Sequence, residues 1–515
     1  MSRNEMHLPI PLQILEPVEG IECTPLDEAD QEYLLVHRPS GTCLKIGITE
    51  KLFLESLLNH RAGLLRHCAL LEAQLEHPIT YDIIEDLAKQ LLDLGFLRPT
   101  SSTLPITVLE GTRFACRQCG KCCRGREIGP VEPSLVQTLI SHDFGEDYPL
   151  LAGGERFYLK HEGGISRYYV RTANEACIFL DTDNLCIIQN QLGWGSKPAP
   201  CRVFPVRLVL TETALLADAT HACNIYPQML KRGPLLEDDP WMFVEPSAVC
   251  RPVILPSNPV RISANLSIPH QTYLSLETSM LKWIDQMKEP AGLILERLAT
   301  LFSSWLQKTK EPSDWNGLLL DQDLPPPPLP DRYSQASTRC NDALIAVLEK
   351  LRKITAQPSG EKGRDDPANH PDRAIYFASL VFRVLHGIDI LGKKDLPEMP
   401  EWFHPRRYKF TWPGRDAHSE ILRDQMKRFI FSKRCLEYAD LLSGLGFMAL
   451  SCLATVSCTS LLTLAKGRRK IRLEELGEGS SMIWRTLSRD EIRTVLQEAP
   501  LSELFLNYVT INRKA

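Results

Sequence analysis

Four cysteines crowd into eight residues, Cys116, Cys119, Cys122 and Cys123, in the run Phe-Ala-Cys-Arg-Gln-Cys-Gly-Lys-Cys-Cys. A Cys-x-x-Cys turn aims two sulfurs at one ion, and Gly120 lets the backbone curl around it. The step to Cys122 repeats that geometry. Cys123 must point elsewhere, to a second metal or to a further vertex of a cluster. Lys121, Arg117, Arg124 and Arg126 place positive charge around these sulfurs, which favours thiolates and offsets the charge of a thiolate-bound centre. Further sulfur donors follow at Cys177, Cys186, Cys201 and Cys223. Each by itself could be a buried thiol packed as a small hydrophobe. Together with the first four they make eight donors between Cys116 and Cys223.

Sixteen cysteines in 515 residues could instead mean disulfides. Three features argue for metal. The chain is too long to need staples, Cys122 and Cys123 are neighbours, for which a bridge is strained, and Met1 to Pro11 lacks the apolar stretch and small-residue cleavage site of a secretory signal. The expected setting is cytoplasmic. Thiolate-only sites suit both zinc and iron–sulfur clusters, and spacing does not choose between them. The doubled Cys122-Cys123 and the basic surroundings favour iron–sulfur, with a structural zinc as the alternative. Cys250 is open; Cys23, Cys43, Cys68, Cys340, Cys435, Cys452 and Cys458 are expected in the core. Arg202, next to Cys201, is a candidate for holding a cofactor or anion, or for pairing with a nearby acid. His161 and His221 are weighed as non-thiolate ligands against surface or packed positions. No catalytic residue is assigned: the sequence shows no Ser/His/Asp order, P-loop, paired carboxylates or HExxH.

The elements that must position these residues suggest an α+β protein of three parts. Residues 1–105 read as a small winged-helix-like unit. Tyr33 to Pro39 is a strand, Ser40-Gly41 a turn and Cys43 to Ile46 the hairpin partner. Helices follow over Ile48 to Leu58 and Thr80 to Leu94, closed by Gly95, with Phe96-Leu97 leading into a strand. Residues 106–260 carry the cysteines, with a hairpin over Phe157 to Arg171 expected to cover them. Residues 261–515 read as mostly helical: Leu274 to Met287, Leu293 to Leu306, Asn341 to Ile354, Ala374 to Ile390, Ser419 to Ala465 and Ser488 to Gln497. A proline-rich spacer (about 322–335) and a polar linker (about 356–373) interrupt this part. The uncharged run Leu441 to Ala465 is long enough to span a membrane. Its serines, threonines and glycines favour a buried helix, or two short ones broken near Gly444 and Gly446. A net charge of −5 supplies no global basic excess for nucleic-acid binding.

Two resemblances sharpen these expectations. Tyr33 to Gly47 and the stretch Leu91 to Leu97 resemble the PqqD-like domains over about 70 residues, which implies a peptide partner recruited on the hairpin edge. The run Cys116 to Cys123, then Cys177-Ile-Phe179-Leu180, Cys186 and Lys197-Pro198-Ala-Pro-Cys201-Arg202-Val-Phe204-Pro205, resembles the YkgJ-type cysteine-cluster family, the CxxCxxCC zinc- or iron-chelating domain, over about 110 residues. Short members carry Arg-Pro where this chain has Lys197-Pro198, as larger members do. Those larger members include the flagellin lysine N-methylases. That likeness implies an iron–sulfur cluster used with S-adenosylmethionine to modify a protein or peptide substrate. The sequence carries no glycine-rich fingerprint for the methyl donor, since Gly477-Glu-Gly479 stands alone. A non-enzymatic metal-binding or adaptor protein is the alternative.

Overall fold

The computed structural model describes residues 13–27, 31–75, 79–124, 127–239, 252–255, 259–287, 291–308, 417–465, 468, 471–487 and 501–506, with short interruptions at 153–154, 163–164 and 175. The chain has both helices and strands, as an α+β reading requires. It divides into two compact units. One comprises Met1–Thr112, Gln118–Asp218 and Leu235–Asn258; the other Arg113–Arg117, Ala219–Pro234 and Pro259–Ala515.

In the first unit, strands Ile21–Asp27, Glu32–His37 and Thr42–Ile46 form an antiparallel sheet with Glu32–His37 in the centre. Alternation places Leu35 in the core while Val36 stays partly exposed. Helices Ile48–Asn59 and Tyr81–Asp93 stand where apolar periodicity requires them. Gly95, at φ +75°, ends the latter in the left-handed region that glycine tolerates. Three elements have weaker sequence signals: helix Leu64–Leu75, strand Ile21–Asp27, and strand Gln13–Pro17, which pairs antiparallel with Leu97–Thr103. Cys23 and Cys43 do not enter a core. Both are exposed: Cys23 on the edge strand Ile21–Asp27, which presents nearly all its residues to solvent, and Cys43 on the outward-facing phase of Thr42–Ile46.

The cysteine-bearing part of this unit is built on a three-stranded sheet with Ile165–Val170 between Ile128–Val131 and Phe157–Glu162. Phe157–Glu162 and Ile165–Val170 are the expected hairpin, paired from Phe157↔Val170 to Glu162↔Ile165. Helices Pro133–Ser141 and Ile187–Leu192 pack there through Val136, Leu139, Ile187 and Ile188, with Phe144 and Phe179 filling the space between. A second sheet orders Val253–Ile254, Val206–Leu210, Leu215–Ala219 and Ile106–Val108, with its outer pairings parallel.

The second unit is a helical core of His270–Gln286, Ala291–Lys308, Ala417–Phe431, Leu441–Ala465, Leu473–Leu487 and Leu501–Leu506. Leu441–Ala465 is one continuous helix, not two. The described side chains from Leu441 to Thr459 are buried. Its glycines allow close approach: a Cβ on Gly444 would lie 2.0 Å from the Cys435 carbonyl oxygen, and one on Gly446 2.1 Å from that of Leu501. Gly477 and Gly479 serve the same purpose on Leu473–Leu487, against the Asn224 carbonyl and Thr459. Among the described residues, no helix is long and apolar enough to cross a membrane. The helices expected over 341–354, 374–390 and 488–497, and both linkers, lie outside the described residues.

Candidate metal centre

The CxxCxxCC segment curls at Gly120 as expected, but it does not bring its four sulfurs to one point. Gln118 and Gly120 both take positive φ, at 52° and 66°, so the chain reverses tightly and enters a single helical turn at Lys121–Cys123. The Cys123 amide donates to the Gly120 carbonyl at 3.0 Å. A side chain on Gly120 would collide with Asn184, whose Oδ1 accepts from Arg124 at 2.8 Å. Asn184 belongs to the turn between Cys177 and Cys186. There Asp181 accepts the Leu185 amide, and Leu180 bridges to Cys186 across an antiparallel pair. The doubled-cysteine turn is thereby tied to the loop that carries the next two sulfurs.

Five thiols, Cys122, Cys123, Cys177, Cys186 and Cys201, line one cavity of about 550 Å³, counting the solvent at its mouth. The remaining wall is Ile128, Val170, Phe179, Ile188, Pro198 and Phe204, with Lys197 the single charged residue of the lining among the described residues. Cys122 and Cys123 place their sulfurs 3.8 Å apart. Two thiolates bonded at about 2.3 Å to one tetrahedral ion stand about 3.8 Å apart, so Cys123 does not point away from Cys122, contrary to the expectation from spacing. Among the described residues no three Cys, His, Asp or Glu side chains are already gathered closely enough to hold an ion. The sulfurs line the cavity without being gathered around one point.

The electrostatics differ from the expectation that basic neighbours hold these thiols ionised. The Cys123 thiol is pushed far above its ordinary range by its hydrogen bond with Cys122, then by burial and by the Cys122, Cys177 and Cys201 sulfurs. Burial raises Cys177, and Cys201, Cys186 and Cys122 add to this against a backbone amide from Phe179. Crowded sulfurs in a low-dielectric wall repel one another as anions, so a cation is what would let them ionise together. Sulfur and hydrocarbon around one ammonium form a donor set for thiophilic metals.

The other sequence candidates fall elsewhere. Cys119 is half-buried on the turn before Cys122 and does not line the cavity. Cys116 is exposed and Cys223 is buried; both belong to the second unit. Arg202 pairs with an acid, its Nη2 donating to Glu132 Oε1 at 2.8 Å. His161 is exposed, with Nδ1 2.8 Å from Ser166 Oγ. His221 is packed. Its Nδ1 lies 2.9 Å from Ser480 Oγ and its Nε2 3.0 Å from Asp424 Oδ2, while Arg428 Nε donates to the same carboxylate at 2.8 Å. Burial depresses the His221 pKa against the pull of Asp424. Burial would raise Asp424, but Arg428 and then His221 hold it well below the usual carboxylate range. Sequence reasoning missed this network, since His221 stands 203 residues from Asp424 and 259 from Ser480 along the chain. It has the composition of a hydrolase triad, yet Ser480 and His221 are fully buried, so it reads as a core network. Cys68, Cys435, Cys452 and Cys458 are buried as expected; Cys250 and Cys340 lie outside the described residues.

The site is a thiol-lined cavity in the cysteine-bearing part of the first unit. Residues 115–232 match the family model described as "CxxCxxCC: Putative zinc- or iron-chelating domain", in agreement with the YkgJ-type resemblance of the cysteine pattern. No curated protein and no solved structure matches the chain.

Proposed function

We propose that the cavity of Cys122, Cys123, Cys177, Cys186 and Cys201 holds an iron–sulfur cluster, and that this centre serves a protein- or peptide-modifying activity. The observation that carries the reading is the cavity itself. Five sulfurs line it, one more than the four ligands that a closed structural zinc site uses. A cluster, when bound, supplies electron transfer or an open iron position. The chain's own residues fix its surroundings. Phe179, Phe204, Ile128 and Val170 exclude water from the inner wall, and Lys197 offsets thiolate charge. Cys122, Cys123, Cys177, Cys186 and Cys201 are the residues that would supply thiolates to such a cluster. A peptide substrate fits the same reading. Strand Ile21–Asp27 is almost wholly exposed at the edge of its sheet, leaving its outer hydrogen-bonding edge for an extended chain.

Serine substitution separates cavity thiols from core thiols. Cys177→Ser, Cys186→Ser and Cys201→Ser should each lose most of the bound iron and sulfide after anaerobic purification, while Cys452→Ser and Cys458→Ser keep both. Equal iron retention in the two sets would count against the cavity as the site.

A further inference from the structure

Cys201 rides on a helix of five residues, Ala199–Val203, which is far too short to hold itself in place. The contacts that fix it come from outside its own turns. Arg202 Nη1 donates to the Gly195 carbonyl at 2.9 Å and to the Lys197 carbonyl, and Nη2 donates to Glu132 Oε1 at 2.8 Å. The other carboxylate oxygen, Glu132 Oε2, accepts the Ala199 amide at 3.4 Å. Glu132 directly precedes helix Pro133–Ser141 and follows strand Ile128–Val131, whose Ile128 lines the cavity. One guanidinium and one carboxylate thus tie together the turn bearing Lys197, the helix bearing Cys201 and the sheet at the back of the site. Their side chains are only 15% and 16% exposed, so water competes weakly for these bonds.

We propose that Arg202 and Glu132 are positioning residues of the metal centre, holding Cys201 and Lys197 in the geometry a bound metal requires. This rests on the reading of the cavity as a metal site. Neither residue need touch the metal: the fork of Arg202 reaches two carbonyls and a carboxylate at once, a pattern that lysine cannot reproduce. Outer partners that orient ligands change metal affinity by about 10–100-fold when removed.

The test uses the full chain, freed of metal and titrated anaerobically with Co²⁺, read by the thiolate-to-cobalt charge-transfer band. Arg202→Met and Glu132→Gln should each weaken Co²⁺ binding about 10–100-fold and shift the band, while thermal unfolding of the metal-free protein moves little. Arg202→Lys should restore only part of the affinity. The double variant Arg202→Met/Glu132→Gln should lose less than the product of the two singles, because the Arg202–Glu132 contact is common to both. If Arg202→Met fails to fold, Glu132→Gln, which keeps the shape of its side chain, carries the test. Affinity within about twofold of wild type, or a double variant whose loss is the product of the two singles, overturns the proposal. A wild-type chain that binds no Co²⁺ overturns the underlying metal reading instead.

Discussion

Acidification by one pH unit should weaken metal binding at least a hundredfold. The perturbation acts on Cys123 and Cys177, whose thiols the structure holds above the ordinary value of 9.0, the first chiefly through its bond with Cys122 and the second chiefly through burial. Both carry protons throughout the neutral range, and each must lose its proton to become a ligand. Two displaced protons make the logarithm of the apparent affinity rise by two for each pH unit, about 2.7 kcal/mol per unit. The sign is fixed: binding tightens as pH rises, with no plateau until pH approaches the raised thiol values. Any further cavity thiol that loses a proton adds to the slope. The assay is anaerobic competition for Co²⁺ against a chromophoric chelator at about pH 6.5, 7.5 and 8.5, corrected for the chelator's own protonation. A slope below one per pH unit would show that these thiols are already ionised or are not ligands, and the argument from crowding and burial would fail.

Other parts of the fold make independent predictions. His67, fully buried and bonded to Ser56, has its pKa lowered by burial to about 4 from 6.5; the neutral form is favoured in the fold. Its contribution is therefore complete above about pH 6.5 and is lost as pH falls toward 4, amounting to about 3 kcal/mol; the difference in urea stability between wild type and His67→Gln across that window measures it. Gly446→Ala forces a methyl against the Leu501 carbonyl and should cost about 1–3 kcal/mol in thermal unfolding, with metal content unchanged. Lys433 and Glu277 form a buried ion pair; burial raises the Glu277 pKa while Lys433 opposes it. Lys433→Met should destabilise by about 3–5 kcal/mol in chemical denaturation, and adding Glu277→Met should recover most of that loss.

What the sequence disclosed follows the range of the physics involved. The curl at Gly120 was legible because a Cys-x-x-Cys turn is local, and Gly120 takes the left-handed region; the side-by-side placing of Cys122 and Cys123 was not. Phe179, Lys197, Pro198 and Phe204, read as part of the same pattern, all line the cavity. The helix Tyr81–Asp93 was legible from its single apolar face, whereas Ile21–Asp27 was not, since an exposed edge strand has no alternation to show. Spacing could not reveal that Cys116 stands in the other unit from the cavity thiols, because a turn of chain between Cys116 and Cys119 crosses the boundary. Nor could it pair Arg202 with Glu132, which are 70 residues apart, or foresee that the bond with Cys122 raises the Cys123 thiol and burial the Cys177 thiol.

Anaerobic purification followed by iron, sulfide and zinc determination, with an absorption spectrum of the same sample, tests the central claim most directly. The account predicts a brown protein with iron and acid-labile sulfide in equal amounts and a broad sulfur-to-iron absorption that bleaches on reduction. A colourless protein carrying stoichiometric zinc would contradict the iron–sulfur reading, and one that binds no metal would contradict the centre itself.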